Sequence, residues 1–195
     1  MNKQLVELLQ QMLETELGGV KIYQTAIGCA LNQDLKDEWT KYLQQTQRHV
    51  EIVQETLAKL GLGDAETPGR EVVRHIGQSL VIAMNKAKAA GDPAGAELVA
   101  CECVVFAETK DHLNWSLLSQ CAKEAEGDTA AVLSKACDEV EDQEDEHIYH
   151  SKGWCRELWI QSLGMKAVLP PPEEKRHVTT AIGAAKAEQS AEKSR

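Results

Sequence analysis

The stretch DEVEDQEDEHIYH, Asp138 to His150, is dense in groups that can ligate a metal or carry a proton. Within it, Glu144 and His147 stand three residues apart. On a helix that spacing puts a carboxylate and an imidazole on one face, a turn from each other. Oxygen and imidazole donors together suit iron or manganese. A charge run usually forms a solvated helix face. This one covers roughly three and a half turns at ~3.6 residues per turn, so part of it must face inward. Glu141 and His150 are the weaker ligand candidates in the run.

The same chemistry recurs upstream. Helices in a bundle pack along positions spaced alternately four and three apart. The first long helix then turns inward Leu5, Leu9, Met12, Glu16, Gly19, Tyr23, Ala26 and Ala30. The second turns inward Leu35, Trp39, Tyr42, Thr46, His49, Val53, Thr56 and Leu60. The third gives Leu98, Cys101, Val105, Glu108, His112, Trp115, Ser119 and Ala122. The fourth gives Leu133, Ala136, Val140, Glu144, His147, Ser151, Trp154 and Leu158.

Every stripe is mostly apolar or small, with its ionisable residues in the middle. A buried lone carboxylate is costly or stays protonated, and a divalent cation removes that cost. Glu16, His49, Glu108, Glu144 and His147 are therefore the candidate metal ligands. Glu14 competes with Glu16 but lies off the stripe. Glu97 and Glu102 compete with Glu108 but sit at the wrong depth. His49 has a bland reading as a core histidine bonded to Thr46 or a carbonyl. His112 either orients a carboxylate or adds a ligand, and Thr46 and Tyr42 are further candidates for those roles. Tyr23, Tyr42 and the tryptophans read as core rather than as redox relays.

The depths agree between helices. Glu16 lies about 15 residues before the first turn, so its mirror falls near 47, between Thr46 and His49. Glu108 lies about 20 residues before the turn at 127–128, and its mirror is His147, with Glu144 one turn away.

The elements that must position these residues follow from apolar periodicity. Helices are expected over 2–30, 34–61, 70–90, 93–125 and 129–163. Gly61 supplies a stop signal, Pro93 a start, and Asp128 an N-cap. Two short turns make two antiparallel pairs. The long connection over 62–92, carrying the extra helix, returns the chain to the other end of the bundle. The expected architecture is all-α: a four-helix bundle over 1–164 with one long crossover. A tail over 165–195 is expected to be extended or partly disordered, beginning with Leu169-Pro170-Pro171-Pro172.

Composition sets the outer limits. The 195 residues fit one domain with a sizeable core. A net charge of −10 argues against a nucleic-acid partner. No apolar run is long enough to cross a membrane, and MNKQLVELLQ has no signal core. A cytoplasmic protein is the expectation. The six cysteines, Cys29, Cys101, Cys103, Cys121, Cys137 and Cys155, contain no CxxC pair and read as small apolar residues or free thiols.

Taken together, these residues resemble the ferritin-like superfamily of carboxylate-bridged di-metal proteins, which includes bacterioferritins, rubrerythrins and manganese catalases. That pattern has one Glu on each of two helices and Glu-x-x-His on each of the other two. Glu16 and Glu108 match the single glutamates, and Glu144 with His147 matches one motif in full. Thr46 with His49 matches the other only at histidine, because Thr46 stands where the family has a bridging Glu. TxxxVEIV, Thr46 to Val53, the 30-residue step from Glu16 to Thr46, and GDTAAVL, Gly127 to Leu133, resemble the YciF-type bacterial stress proteins. A histidine tends to stand in that group where this chain has Tyr42. The likeness spans roughly residues 5–155.

The resemblance implies one or two iron or manganese ions, bridged by Glu144 and solvent where there are two. Three functional readings remain open. One is an oxidoreductase acting on peroxide or dioxygen in stress protection. Another is a non-catalytic metal-binding or storage protein, which a dimer of neighbouring bundles would suit; a homodimer is the expected assembly. The third is a structural scaffold with a degenerate site.

Overall fold

A computed structural model describes residues 2–195. It contains seven helices and no strand among the described residues: α1 (Lys3–Ile27), α2 (Gln33–Lys59), α3 (Pro68–Ala89), α4 (Pro93–Glu124), α5 (Gly127–Ser162), α6 (Pro172–Lys175) and α7 (Ala181–Ser194). The expected helices thus form within a few residues of their anticipated ends.

Local chemistry explains most of the boundaries. The Asn32 side chain accepts from the backbone N–H of Asp34 and Leu35 and starts α2. Thr67 and Asp92 cap α3 and α4, each followed by a proline whose missing N–H costs nothing there. Gly61 and Gly91 follow α2 and α3 in the left-handed region, at φ 69° and 80°, where a side chain would be strained. Asp128 departs from expectation. Glu126 occupies the N-cap position of α5 without a side-chain cap, and Asp128 falls in the first turn, where its charge still faces the helix N-terminus favourably.

The four long helices pack in a ring: α1 on α2 and α4, and α5 on α2 and α4. Glu97, near the start of α4, accepts from the N–H of Leu31 and Asn32 in the α1–α2 turn, at 2.7 and 2.8 Å. The α1–α2 turn and the start of α4 therefore lie at one end. Gln10 on α1 bonds to the 63–65 loop at the opposite end. Between these ends α3 runs along the outside of α1 and α4. This helical bundle is compatible with a ferritin-like fold.

Two apolar cores fill the ring. One is built around Leu9, Met12, Val53, Leu118, Leu133 and Val140. The other is built around Tyr23, Leu35, Trp39, Tyr42, Val104 and Trp154. Buried Glu16, His49, Glu108, Glu144 and His147, one or two from each long helix, form the layer between them.

The tail corrects an expectation. Residues 181–194 are not extended but helical, and Ala187 and Ala191 on that helix are fully buried. Alanine is the best helix former, and two alanines four apart give a narrow face that packs closely. Thr180 caps this helix. Arg195 reaches back to the fully buried Glu157 at 2.5 Å, and the backbone N–H of Val168 donates to the same carboxylate at 2.8 Å. None of α1–α5 is both long and apolar enough to cross a membrane, nor is any other described helix.

Candidate metal centre

Glu16 from α1, His49 from α2, Glu108 from α4, and Glu144 and His147 from α5 meet in the layer between the cores. All five are at most 3 % exposed. Their nearest donor atoms form two groups, Glu16–His49–Glu144 and Glu108–Glu144–His147, with Glu144 common to both. His49 Nδ1 lies 3.1 Å from Glu144 Oε1 and 3.7 Å from Glu16 Oε2. His147 Nδ1 lies 3.4 Å from Glu144 Oε1 and 3.5 Å from Glu108 Oε2. The imidazole rings are stacked, with centroids 5.8 Å apart.

These inner atoms approach one another but make no hydrogen bonds. Glu16 Oε2, Glu108 Oε2, both oxygens of Glu144, and Nδ1 of both histidines are buried without a partner. Buried polar atoms are almost always paired, so six in one place need an account.

The outer atoms are pinned. Trp115 Nε1 donates to Glu16 Oε1 at 2.8 Å. The Tyr23 hydroxyl donates to Glu108 Oε1 at 2.8 Å. His49 Nε2 bonds to Gln143 Oε1 at 3.0 Å, and His147 Nε2 bonds to Gln45 Oε1 at 2.9 Å. An amide oxygen only accepts, so each Nε2 carries its proton and each Nδ1 lone pair faces inward when the ring is neutral. That is the orientation in which a metal-binding imidazole is held.

A further carboxyl, Asp111, joins the layer from α4. It is fully buried, lies against Glu16, and keeps Oδ1 unpartnered. Burial pushes its pKa well above the usual range, and Glu16, Glu144 and Glu108 push it further. Burial raises Glu16 too. Burial works against a charged Glu144, but His147 and His49 overcome it and hold the pKa at about 2. Burial also opposes a proton on the imidazoles. Glu16 and Glu144 nonetheless lift His49 to about 11, and Glu108 and Glu144 lift His147 to about 9.

The donor set fits divalent cations. Glu16, Glu108, Asp111 and Glu144 can carry four negative charges, which two divalent ions would balance with both imidazoles neutral. Each group of three can hold a metal ion.

Thr46, His112 and Tyr42 are not among the two groups of donors. Thr46 is buried, but its methyl faces Gly19, and a neutral hydroxyl cannot replace a bridging carboxylate. His112 is in neither group of donors. It is partly exposed and pairs with Asp145 at 2.8 Å. The reason is a register shift in α4, where the buried positions run Val104, Glu108, Asp111, Trp115 rather than through Val105 and His112. Tyr42 bonds Glu38 and His150 Nδ1, the latter at 2.8 Å, and packs on His147 with centroids 4.1 Å apart. Glu14 is held by arginines, and Glu102 accepts from Trp159.

Sequence reasoning missed Asp111, Gln45 and Gln143, and treated Tyr23 and Trp115 only as core. The glutamines did leave a signal. Each stands four residues before a site histidine, giving Gln-x-x-x-His on both α2 and α5. The bonds cross, so each glutamine serves the histidine of the other helix.

Compared with protein-family models, curated proteins and solved structures, the chain matches none.

Proposed function

We propose that the protein binds two iron or manganese ions, one at Glu16–His49–Glu144 and one at Glu108–Glu144–His147, with Glu144 shared. One observation carries this reading. Six inner donor atoms on five residues are buried and unpartnered, while the opposite atoms of Glu16, Glu108 and both histidines are tied to Trp115, Tyr23, Gln143 and Gln45. Asp111 supports the second ion by supplying a fourth carboxylate in place of the one absent at Thr46.

Such ions would supply electrons for the reduction of peroxide or dioxygen, in a stress-protective role. The chain's own residues do the rest. Gln45 and Gln143 accept from the Nε2–H groups and keep the imidazoles turned with Nδ1 inward. Trp115 and Tyr23 fix the rotamers of Glu16 and Glu108. Asp111 lies against Glu16 and holds a proton at its carboxyl until its charge is compensated. The flanking apolar cores keep bulk water out.

The test is metal content per chain after expression with iron and manganese supplied, for wild type and Glu144→Ala, followed by peroxide turnover. Two equivalents in wild type, lost in the variant, with turnover, support the oxidoreductase reading. Metal without turnover favours a non-catalytic binding or storage protein. A folded wild type that takes up no metal leaves a structural scaffold in which two imidazoliums neutralise the carboxylates.

A further inference from the structure

The chain's only phenylalanine is not in its core. Phe106, on α4, is 65 % exposed, and Ile76 on α3 is 52 % exposed. Both stand at a half-open cleft of about 320 Å³ between α1, α3 and α4. Its walls are Ile22, Val73, Leu80 and Ala107, with Gly18 and Gly77 between them. Small-molecule sites commonly have volumes of about 300–1,000 Å³, apolar walls and few polar groups.

Two polar features define what would fit. Glu14 lines the cleft, but its carboxylate is clamped by Arg70 and Arg74 at 2.9–3.0 Å. Lys110 is different. Its ammonium is drawn inward onto Oδ1 of the fully buried Asn114 at 2.5 Å, and it forms no ion pair among the described residues. An adjoining cleft of about 230 Å³ adds Lys21 and Arg74, so this seam is basic on an acidic protein.

We propose that this cleft binds a medium-chain fatty acid, with the hydrocarbon against Phe106, Ile76, Val73 and Leu80 and the carboxylate on Lys110. A purely apolar occupant would strip water from the ammonium and return nothing, which is costly. A second copy of the chain would cover the same cation with an apolar face and bring net charge −10 against −10. A carboxylate on an alkyl chain satisfies both the walls and the cation. The cleft lies on the side of α1 and α4 that faces α3, its lining includes none of the core donors, and the proposal does not rest on their binding metal.

The test is calorimetric titration of the full chain with decanoate and with decanol, each below its aggregation threshold. Decanoate is expected to bind one per chain and more tightly than decanol. Lys110→Met should weaken decanoate about tenfold or more, as loss of a charge-assisted hydrogen bond would, and leave decanol nearly unchanged. Ile76→Glu, at an exposed position, should weaken decanoate by like-charge repulsion. Circular dichroism of both variants checks folding. Absence of saturable decanoate binding overturns the proposal, as does an unchanged affinity in Lys110→Met. A dimer in sedimentation that Phe106→Asp converts to monomer also overturns it, because the groove is then an interface between copies.

Discussion

Glu14 and Glu16 stand two residues apart on α1, both buried, and the fold treats them oppositely. Arg70 donates to Glu14 at 2.9 Å and Arg74 at 2.9 and 3.0 Å. Burial works to raise the pKa of Glu14, but the two guanidiniums outweigh it and the net shift is downward. Glu16 receives one hydrogen bond, from Trp115, and its other oxygen faces an imidazole and further carboxylates. The chain can neutralise a buried glutamate with arginine where one is wanted. At Glu16 it places acids and imidazoles instead, which a cation from outside can complete.

The comparison breaks most simply at Glu144. Glu144→Ala should abolish metal uptake, because both groups lose their common ligand, while the Glu14 cluster stays intact. Metal analysis and a metal-induced rise in the unfolding midpoint read this. Wild-type uptake surviving in the variant would remove Glu144 from the centre.

The converse experiment targets Arg70. Arg70→Met leaves Glu14 short of a partner and should destabilise the protein by about 3 kcal/mol, with or without metal. Adding Glu14→Leu should recover much of that loss, since removing both partners of a buried pair is far milder than removing one. Urea unfolding of the single and double variants measures it. Equal losses in both would mean that packing, not charge, is at stake there.

Proton binding sharpens the contrast. In metal-free protein, folded His49 and His147 hold protons up to about 11 and 9, against 6.5 for the ordinary group. Their contribution to stability is complete below pH 6.5 and is lost as pH rises toward 9 and beyond. Asp111, raised above 3.8, adds to the loss on the same side. Glu144, held at about 2 against 4.5, contributes above pH 4.5 and loses its contribution as pH falls toward 2. Metal-free protein should therefore be most stable between these limits and weaken from pH 6.5 to 9. Metal binding displaces the protons, so affinity should rise with pH and flatten the stability curve. Thermal unfolding with and without metal tests both halves. A metal-free midpoint that rises over this interval would contradict the assignment.

How much of this was legible beforehand depends on the kind of signal. Glu16, His49, Glu108, Glu144 and His147 were readable because a single buried stripe is a strong periodic constraint. Asp111 was not. From Glu108 the next inward step is three residues or four, and the pattern alone does not choose; burial of Asp111 against Glu16 does. The tail helix was hidden because its apolar face is only two alanines. Lys110 and Phe106 carry no periodic signal, since their role depends on a cleft that exists only once α3 has packed on α1 and α4.

Gln45 and Gln143 offer a smaller effect. Gln143→Leu should fold, because Gln143 is partly exposed, yet leave His49 free to turn. Metal affinity should fall about 10–100-fold, the usual consequence of losing a partner that orients a ligand. Gln45→Leu should do the same through His147. Isothermal titration of each variant decides, and an unchanged affinity would mean that packing alone sets the ring orientation.

The smallest effect is expected at Thr46. If its position were a working part of the centre, changing it would disturb metal binding. The side chain instead turns its methyl toward Gly19, where even a Cβ on that glycine would approach to 3.1 Å. Glu144, not residue 46, links the two groups of donors. Thr46→Val keeps the shape and removes only the hydroxyl, so stability should stay within about 1 kcal/mol, the net worth of an ordinary hydrogen bond. Metal stoichiometry should not change. A loss of one equivalent would instead place the Thr46 hydroxyl, or a water held by it, among the ligands. That result would redraw the line between Glu14, satisfied within the chain, and a centre whose members are still incompletely counted.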